Sequence, residues 1–194
     1  LFDTAGTLTT GEGTVRAVVP SAAWTAPDVL SAAASVEFGS EHPVARAIVA
    51  YARAASVPVA PPTGFTSLAG RGVRATVEGR EVLVGSVRLL AEQGLRLEPA
   101  LRSSAQSNEA AGATVVVVIV GGTVAGIIAV DDPLRPESVE AIARLRARGV
   151  RAALVTGGSL AVADWMAVRL GLDEVFAGML PDDRADLVSR LHQR

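Results

Sequence analysis

Cysteine is missing from the 194-residue chain, so neither a disulfide framework nor a thiolate metal site can form. Lysine is missing too, and all 18 basic residues are arginine. That bias blunts the meaning of any single arginine found where phosphate chemistry usually places lysine. A large excess of charge is also absent. The formal net charge is -2, which leaves no basic surface for nucleic acid. With 49% hydrophobic residues the composition is globular, and the length suits one large domain or two small ones. No secretory leader pattern opens the chain, since an apolar pair meets an aspartate at once. Direct membrane insertion is not expected either. Residues 113–130 carry no charge, but Gly121-Gly122 divides them into two β-branched runs. That pattern reads as a hairpin, whereas a span needs ~20 helix-compatible residues.

What is present begins with LFDTAGTLTT, the first ten residues. An apolar pair runs into Asp3, and a small-residue turn containing Gly6 follows. Such a sequence presents a carboxylate at the C-terminal end of a strand, beside backbone N–H groups that can receive a phosphate. Asp3 is then a candidate nucleophile. A strand followed by an ordinary Asx or glycine turn is the alternative at this point.

The remaining punctuation divides the chain into elements. Residues 14–19 read as a strand closed by Pro20. Thr25 with Asp28 predicts a capped helix ending near Phe38-Gly39, and Pro43 predicts the first position of a second helix running to about residue 55. Short β segments separated by glycines occupy residues 64–84, with Glu78-Gly79 as a hairpin turn. Helices over residues 86–94 and 99–111 and the long hairpin follow. From residue 136 the pattern changes to alternating helices and strands. The helices cover residues 136–148, 159–170 and 181–192, and the strands cover 152–155 and 174–177. Val139, Ile142 and Leu145 share one face of the first of these helices. This alternation predicts an α/β fold with a doubly wound parallel sheet, which the opening strand joins. Residues 14–130 are then an inserted domain with helices beside an antiparallel sheet.

Two groups of residues carry chemistry. At the C-terminal edge of the parallel sheet, Thr156 offers a hydroxyl to a phosphoryl oxygen, and Arg184 can balance charge in phosphoryl transfer. In the inserted region, His42 sits before a proline at a helix N-terminus, with Glu37 five residues earlier. Gly70, Gly72, Gly85 and Ser86 would let backbone approach a flat ligand closely. A capping histidine and plain glycine turns are the alternatives.

These motifs, in this order, resemble the cytosolic ATP-binding and phosphorylation region of heavy-metal-transporting P-type ATPases, members of the haloacid dehalogenase superfamily. The opening resembles the DKTGTLT phosphorylation motif, and Ser40-Glu41-His42-Pro43 matches the SEHP motif of the metal-transporting branch. Gly70-Arg71-Gly72-Val73 and Val84-Gly85-Ser86 resemble the nucleotide loops, with Ser86 in place of asparagine. Residues 132–137 resemble the hinge, Thr156-Gly157 the start of TGD, and residues 180–184 the LP-x-DK segment. The resemblance implies a phosphorylation domain, incomplete here, over residues 1–13 and 131–194, and a nucleotide-binding domain over 14–130. It implies that ATP lies near Glu37, His42, Gly70, Gly72, Gly85 and Ser86. Asp3 would take the γ-phosphate, with Thr156 and Arg184 as catalytic partners and Mg²⁺ bound at a partial site on Asp3. It further implies a transmembrane metal-transport domain as partner, placing this region at the cytosolic face of a membrane.

The departures from the family pattern concentrate beside Asp3. Thr4 stands for lysine, Ala5 for threonine and Gly158 for the TGD aspartate, and the GDGxND element is expected beyond Arg194. Each lost charge should weaken catalysis by roughly 3 kcal/mol, so a fragment with poor turnover is expected. A degenerate module that binds nucleotide or a partner without turnover is the second expectation. A soluble phosphatase-like hydrolase is the third, disfavoured by the SEHP insertion and by Ala5 where such enzymes carry an acid.

Overall fold

Both faces of the central sheet are covered by helices, and this explains why its middle strands are apolar without alternation. In the computed structural model, which describes residues 1–191, an irregular turn over Thr4–Leu8 leads into β1 (Thr14–Pro20), α1 (Ala26–Glu37) and α2 (Pro43–Ala54). The chain continues through β2 (Thr63–Leu68), β3 (Gly72–Val77), β4 (Arg80–Gly85), α3 (Arg88–Glu92), α4 (Pro99–Ala110), β5 (Thr114–Val120) and β6 (Thr123–Asp131). The six strands form one antiparallel sheet in the order β1-β6-β5-β4-β3-β2. Along β5, Val116, Val118 and Val120 enter the core under α1 and α2, while Val115, Val117 and Ile119 enter the core under α3 and α4. Each such side chain contributes about 1.5–3 kcal/mol on burial, so a charge anywhere in β5 would be costly. No described helix is long and apolar enough to cross a membrane.

The remaining elements are α5 (Pro136–Ala147), β7 (Ala153–Val155), α6 (Leu160–Leu170), β8 (Glu174–Phe176) and α7 (Pro181–Leu191). β7 and β8 pair in parallel. The opening segment joins them as expected: Phe2 forms a parallel bridge to Leu154, donating to the Ala153 carbonyl at 2.8 Å and accepting from Val155 at 2.9 Å. The chain is thus a mixed α/β fold, with a large antiparallel sheet and a small parallel one. A third core, built from Leu8, Ile142, Leu154, Met166 and Leu170 among others, lies between the small sheet and its helices.

Local chemistry fixes several boundaries. The Thr25 hydroxyl caps α1 through the Asp28 N–H at 3.3 Å, and Ser159 caps α6. Both match the capping patterns in the sequence. On α5 the buried face differs from the expected one. Val139 is 45% exposed, whereas Ser138 and Ile142 are buried. The reason is polar: Ser138 Oγ donates to the buried Leu8 carbonyl at 3.0 Å, and an unpaired buried carbonyl would be costly. The expected end of the last helix, His192, lies outside the described residues.

Candidate functional site

Because Phe2 lies beside β7, Asp3 and Thr156 leave neighbouring parallel strands at the same edge of the small sheet. Asp3 is exposed and caps the opening turn, with Oδ1 accepting from the Thr4 N–H at 2.8 Å. Its Oδ2 accepts from Arg184 Nη1 at 3.1 Å. Arg184 also covers Gly157: a Cβ added at that glycine would lie 3.7 Å from Nη2. Thr156 is buried, and its Oγ1 accepts from the Gly158 N–H at 3.1 Å. The structure therefore brings Asp3, the Thr156–Gly158 turn and Arg184 together.

The donor set decides what this cluster can hold. Among the described residues no group of three or more His, Cys, Asp or Glu side chains could hold a metal ion. Asp3 is the cluster's one carboxylate, and its two oxygens are engaged by Thr4 and Arg184. Thr4 Oγ1 and Arg184 Nε are buried without a partner. A guanidinium and free N–H and O–H donors suit an anion, whereas Mg²⁺ needs hard oxygen ligands and repels a cation. Asp3 is the one carboxylate of this cluster that could serve Mg²⁺, and in this structure its Oδ2 is held by Arg184.

The loop after Asp3 is fastened to the segment leaving β6. Asp132 Oδ2 accepts from Thr9 Oγ1 at 2.7 Å, and its Oδ1 accepts from Thr10 Oγ1 at 3.2 Å and from the Gly11 N–H at 2.9 Å. Arg135 Nε donates to the Thr9 carbonyl at 2.9 Å. Arg46, one turn into α2, donates to the Gly11 carbonyl at 3.3 Å. Arg88, just after Ser86, donates to the Gly178 carbonyl at 2.7 Å, and the Gly178 N–H donates to the Gly158 carbonyl at 3.0 Å. Sequence reasoning placed Asp132 and Arg135 in a hinge and passed over Arg46 and Arg88. Nothing local marks two arginines in an arginine-only chain as the ones that reach across.

Glu37 and His42 lie on the turn between α1 and α2. Glu37 is only 7% exposed. Burial pushes its carboxyl up to about 7, against a smaller opposing effect of its hydrogen bond with Ser40. His42 caps α2, its Nδ1 accepting from the Val44 N–H at 3.2 Å. Burial of part of the imidazole lowers its pKa, the neighbouring Arg46 lowers it further, and Asp132 acts in the opposite direction. The ring is therefore held towards its neutral form.

The glycines have a reason of their own. Gly72 and Gly85 pair directly across β3 and β4. A Cβ at Gly72, where φ is +146°, would lie 2.1 Å from the Val84 carbonyl oxygen, and one at Gly85 would lie 2.1 Å from that of Arg71. Close backbone packing alone thus demands both glycines. Gly70 turns the chain with φ +68°, and the Ser86 N–H donates to the Arg71 carbonyl at 2.9 Å while its Oγ is buried without a partner. Among the described residues no hydrogen bond or ion pair joins the Glu37–His42 turn to this glycine pair.

A strand-end carboxylate beside a Thr-Gly-Gly turn on a small parallel sheet, with a large antiparallel sheet formed by the chain between them, defines a class. The sequence profile of the haloacid dehalogenase-like hydrolases matches residues 1–192, and the chain belongs to that family. Within it, the chain is 38% identical over its full length to the probable copper-exporting P-type ATPase V of Mycobacterium tuberculosis (strain ATCC 25618 / H37Rv), of which it spans 25%. It is 37% identical to a solved zinc-transporting PIB-type ATPase in the E2.Pi state, covering 99% of this chain and 31% of that one, with a TM-score of 0.60. The catalytic domain of the CPx-ATPase CopB-B shares the fold at 22% identity, covering 99% of this chain and 65% of that one, with a TM-score of 0.77. The chain's likeness is to the cytosolic catalytic region of heavy-metal P-type ATPases.

Proposed function

We propose that the chain acts as the nucleotide-binding and phosphorylation region of a P-type ATPase that transports a heavy-metal cation. Residues 14–130 form the nucleotide-binding domain, and residues 1–13 with 131–194 belong to the phosphorylation domain. The observation that carries this reading is the α1–α2 junction: a buried Glu37 carboxyl at the end of α1 and a His42 imidazole, held towards its neutral form, at the N-cap of α2. Such a pair suits an uncharged, hydrogen-bonding base better than a phosphate. Gly70, Gly72, Gly85 and Ser86 lie on the neighbouring strand ends, where the unpartnered Ser86 hydroxyl can meet the ligand. ATP bound there would direct its phosphates towards Arg184, Thr156 and Asp3.

In the intact protein an Asp3 oxygen would form a bond to the γ-phosphorus as the bond to the β-phosphate oxygen breaks and ADP leaves. Arg184 would have to exchange its pairing with Asp3 for the transferred oxygens. Mg²⁺ use by P-type ATPases is general, and Asp3 is the carboxylate here that would hold it, where it would offset phosphate charge. Coupling to metal movement through a transmembrane domain belongs to the whole protein. A second reading, nucleotide binding without turnover, is favoured by the occupied carboxylate of Asp3 and by Gly158, which supplies no acid.

Calorimetric titration with ATP tests the first reading. The chain should bind ATP, and His42→Asn, which can keep the α2 cap but not the ring, should weaken binding about tenfold. Absence of binding, or unchanged binding in the variant, would contradict it. Incubation with γ-labelled ATP separates the two readings. Little acid-stable label on Asp3 is expected from this chain, and abundant label would rule out the second reading.

A further inference from the structure

One arginine reaches from the end of the antiparallel sheet to the turn beside Asp3. Arg88 follows the Gly85-Ser86 strand end, and its backbone is held in place by Leu89 and Leu90, both buried in the core under α3 and α4. Its side chain is exposed, yet it has a fixed seat: Nη1 donates to the Gly178 carbonyl at 2.7 Å. A Cβ added at Gly178 would lie 1.6 Å from Arg88 Nη2 and 2.7 Å from Cζ, so only a glycine there leaves room for the guanidinium. The Gly178 N–H donates in turn to the Gly158 carbonyl at 3.0 Å, and the Met179 N–H donates to the Thr156 carbonyl at 3.0 Å. Arg184 lies against Gly157 of the same turn and pairs with Asp3. Two guanidiniums, one from each sheet's side of the molecule, therefore border the Thr156–Gly158 turn.

Their charges are not equivalent. Arg184 and Asp3 cancel one another, so that pair has no net positive charge to offer a polyphosphate. Arg71 pairs with Glu92, while Arg46 and Arg135 donate to carbonyls of the opening loop. Arg88 has no carboxylate partner among the described residues, and its bond to Gly178 leaves further N–H groups to donate. We propose that Arg88 is a nucleotide-binding residue, supplying the positive charge that a nucleoside triphosphate meets between the Ser86 loop and Asp3. This rests on the reading above that ATP binds in this region with its phosphates towards Asp3. A guanidinium suits the task because its fork holds two phosphate oxygens at once and does not lose its proton.

The test is calorimetric titration of the full chain and of Arg88→Gln and Arg88→Lys, with ATP and with adenosine as probes. Glutamine can still donate to the Gly178 carbonyl but carries no charge, and lysine carries the charge without the fork. Arg88→Gln should bind ATP about 10- to 100-fold more weakly with its adenosine affinity unchanged, and Arg88→Lys should recover part of the loss. Added salt should weaken ATP binding by the unaltered chain more steeply than by Arg88→Gln. Unchanged ATP affinity in Arg88→Gln, equal loss of both probes, or the same salt dependence in the two chains would overturn the role of Arg88. Failure of the unaltered chain to bind ATP would instead overturn the reading on which it rests.

Discussion

The two ends of the candidate site differ in how much of their chemistry is in place. At the α1–α2 turn, the motif residues Glu37 and His42 stand in environments that tune them, one by burial and the other by burial and a neighbouring guanidinium. At the edge of the small sheet the architecture is kept and the chemistry is thinned. Asp3 and Thr156 emerge side by side, but Thr4 and Gly158 bring neither cation nor carboxylate, and Asp3 pairs with Arg184. The frame that holds the Asp3 loop and the charged groups beside it are thus separable. The opening loop is held by its Thr9 and Thr10 hydroxyls and Gly11 N–H donating to Asp132, and by Arg135 and Ser138 donating to its carbonyls. Thr4 enters this frame through its backbone, its carbonyl accepting from the Thr9 N–H at 3.2 Å, while its Oγ1 is buried.

Substitutions can break this comparison. The largest effect is expected at Gly72→Ala. A methyl group 2.1 Å from the Val84 carbonyl oxygen forces β3 and β4 apart, and the loss should be about 3 kcal/mol or more in denaturant unfolding. Gly158→Ala, whose Cβ would meet only Thr156 Oγ1 at 3.4 Å, should change stability little. Equal effects would mean that the glycine pair is no more constrained than the Thr156–Gly158 turn.

Next comes pH. Burial pushes the Glu37 carboxyl up to about 7 in the folded chain from its ordinary 4.5, so between those values the folded chain binds the extra proton and the unfolded one does not. Stability should therefore fall as pH rises from about 4.5 to 7 and level off above, by about 3 kcal/mol in total. His42, whose pKa is lowered, works in the opposite sense, costing stability as pH falls below its ordinary value. Glu37→Gln should abolish the decline and leave the His42 contribution visible in pH-dependent unfolding.

The smallest effect is expected at Arg88→Ala. Losing the bond to the Gly178 carbonyl should cost about 1 kcal/mol. That bond spans the two halves of the site, so hydrogen exchange should rise at Gly178 and Met179 more than within α3. A rise confined to α3 would show that Arg88 holds only its own helix.

Much of the fold was legible because glycine, proline and capping residues punctuate it. Thr25 with Asp28, Pro43, Glu78-Gly79 and Gly121-Gly122 each mark a boundary through local backbone chemistry, which sequence carries directly. The inward face of α5 was not legible, because Ser138 wins it through a bond to a carbonyl 130 residues away. The site was legible as residue types in order and illegible as contacts. Arg184 was placed at the Asp3 edge by motif order but not as the direct partner of its carboxylate, and Gly72 and Gly85 read as open loops until their register set them against each other. Burial of Glu37 was hidden for the same reason, since it arises from packing between elements distant in sequence.

Amide hydrogen exchange of the chain with and without ATP tests the contrast between the two ends most directly. Protection is expected over residues 37–42, 70–73 and 85–86, with little change over 3–9 and 156–158. Protection at the Asp3 loop and the Thr156 turn, with none at the α1–α2 turn, would contradict it.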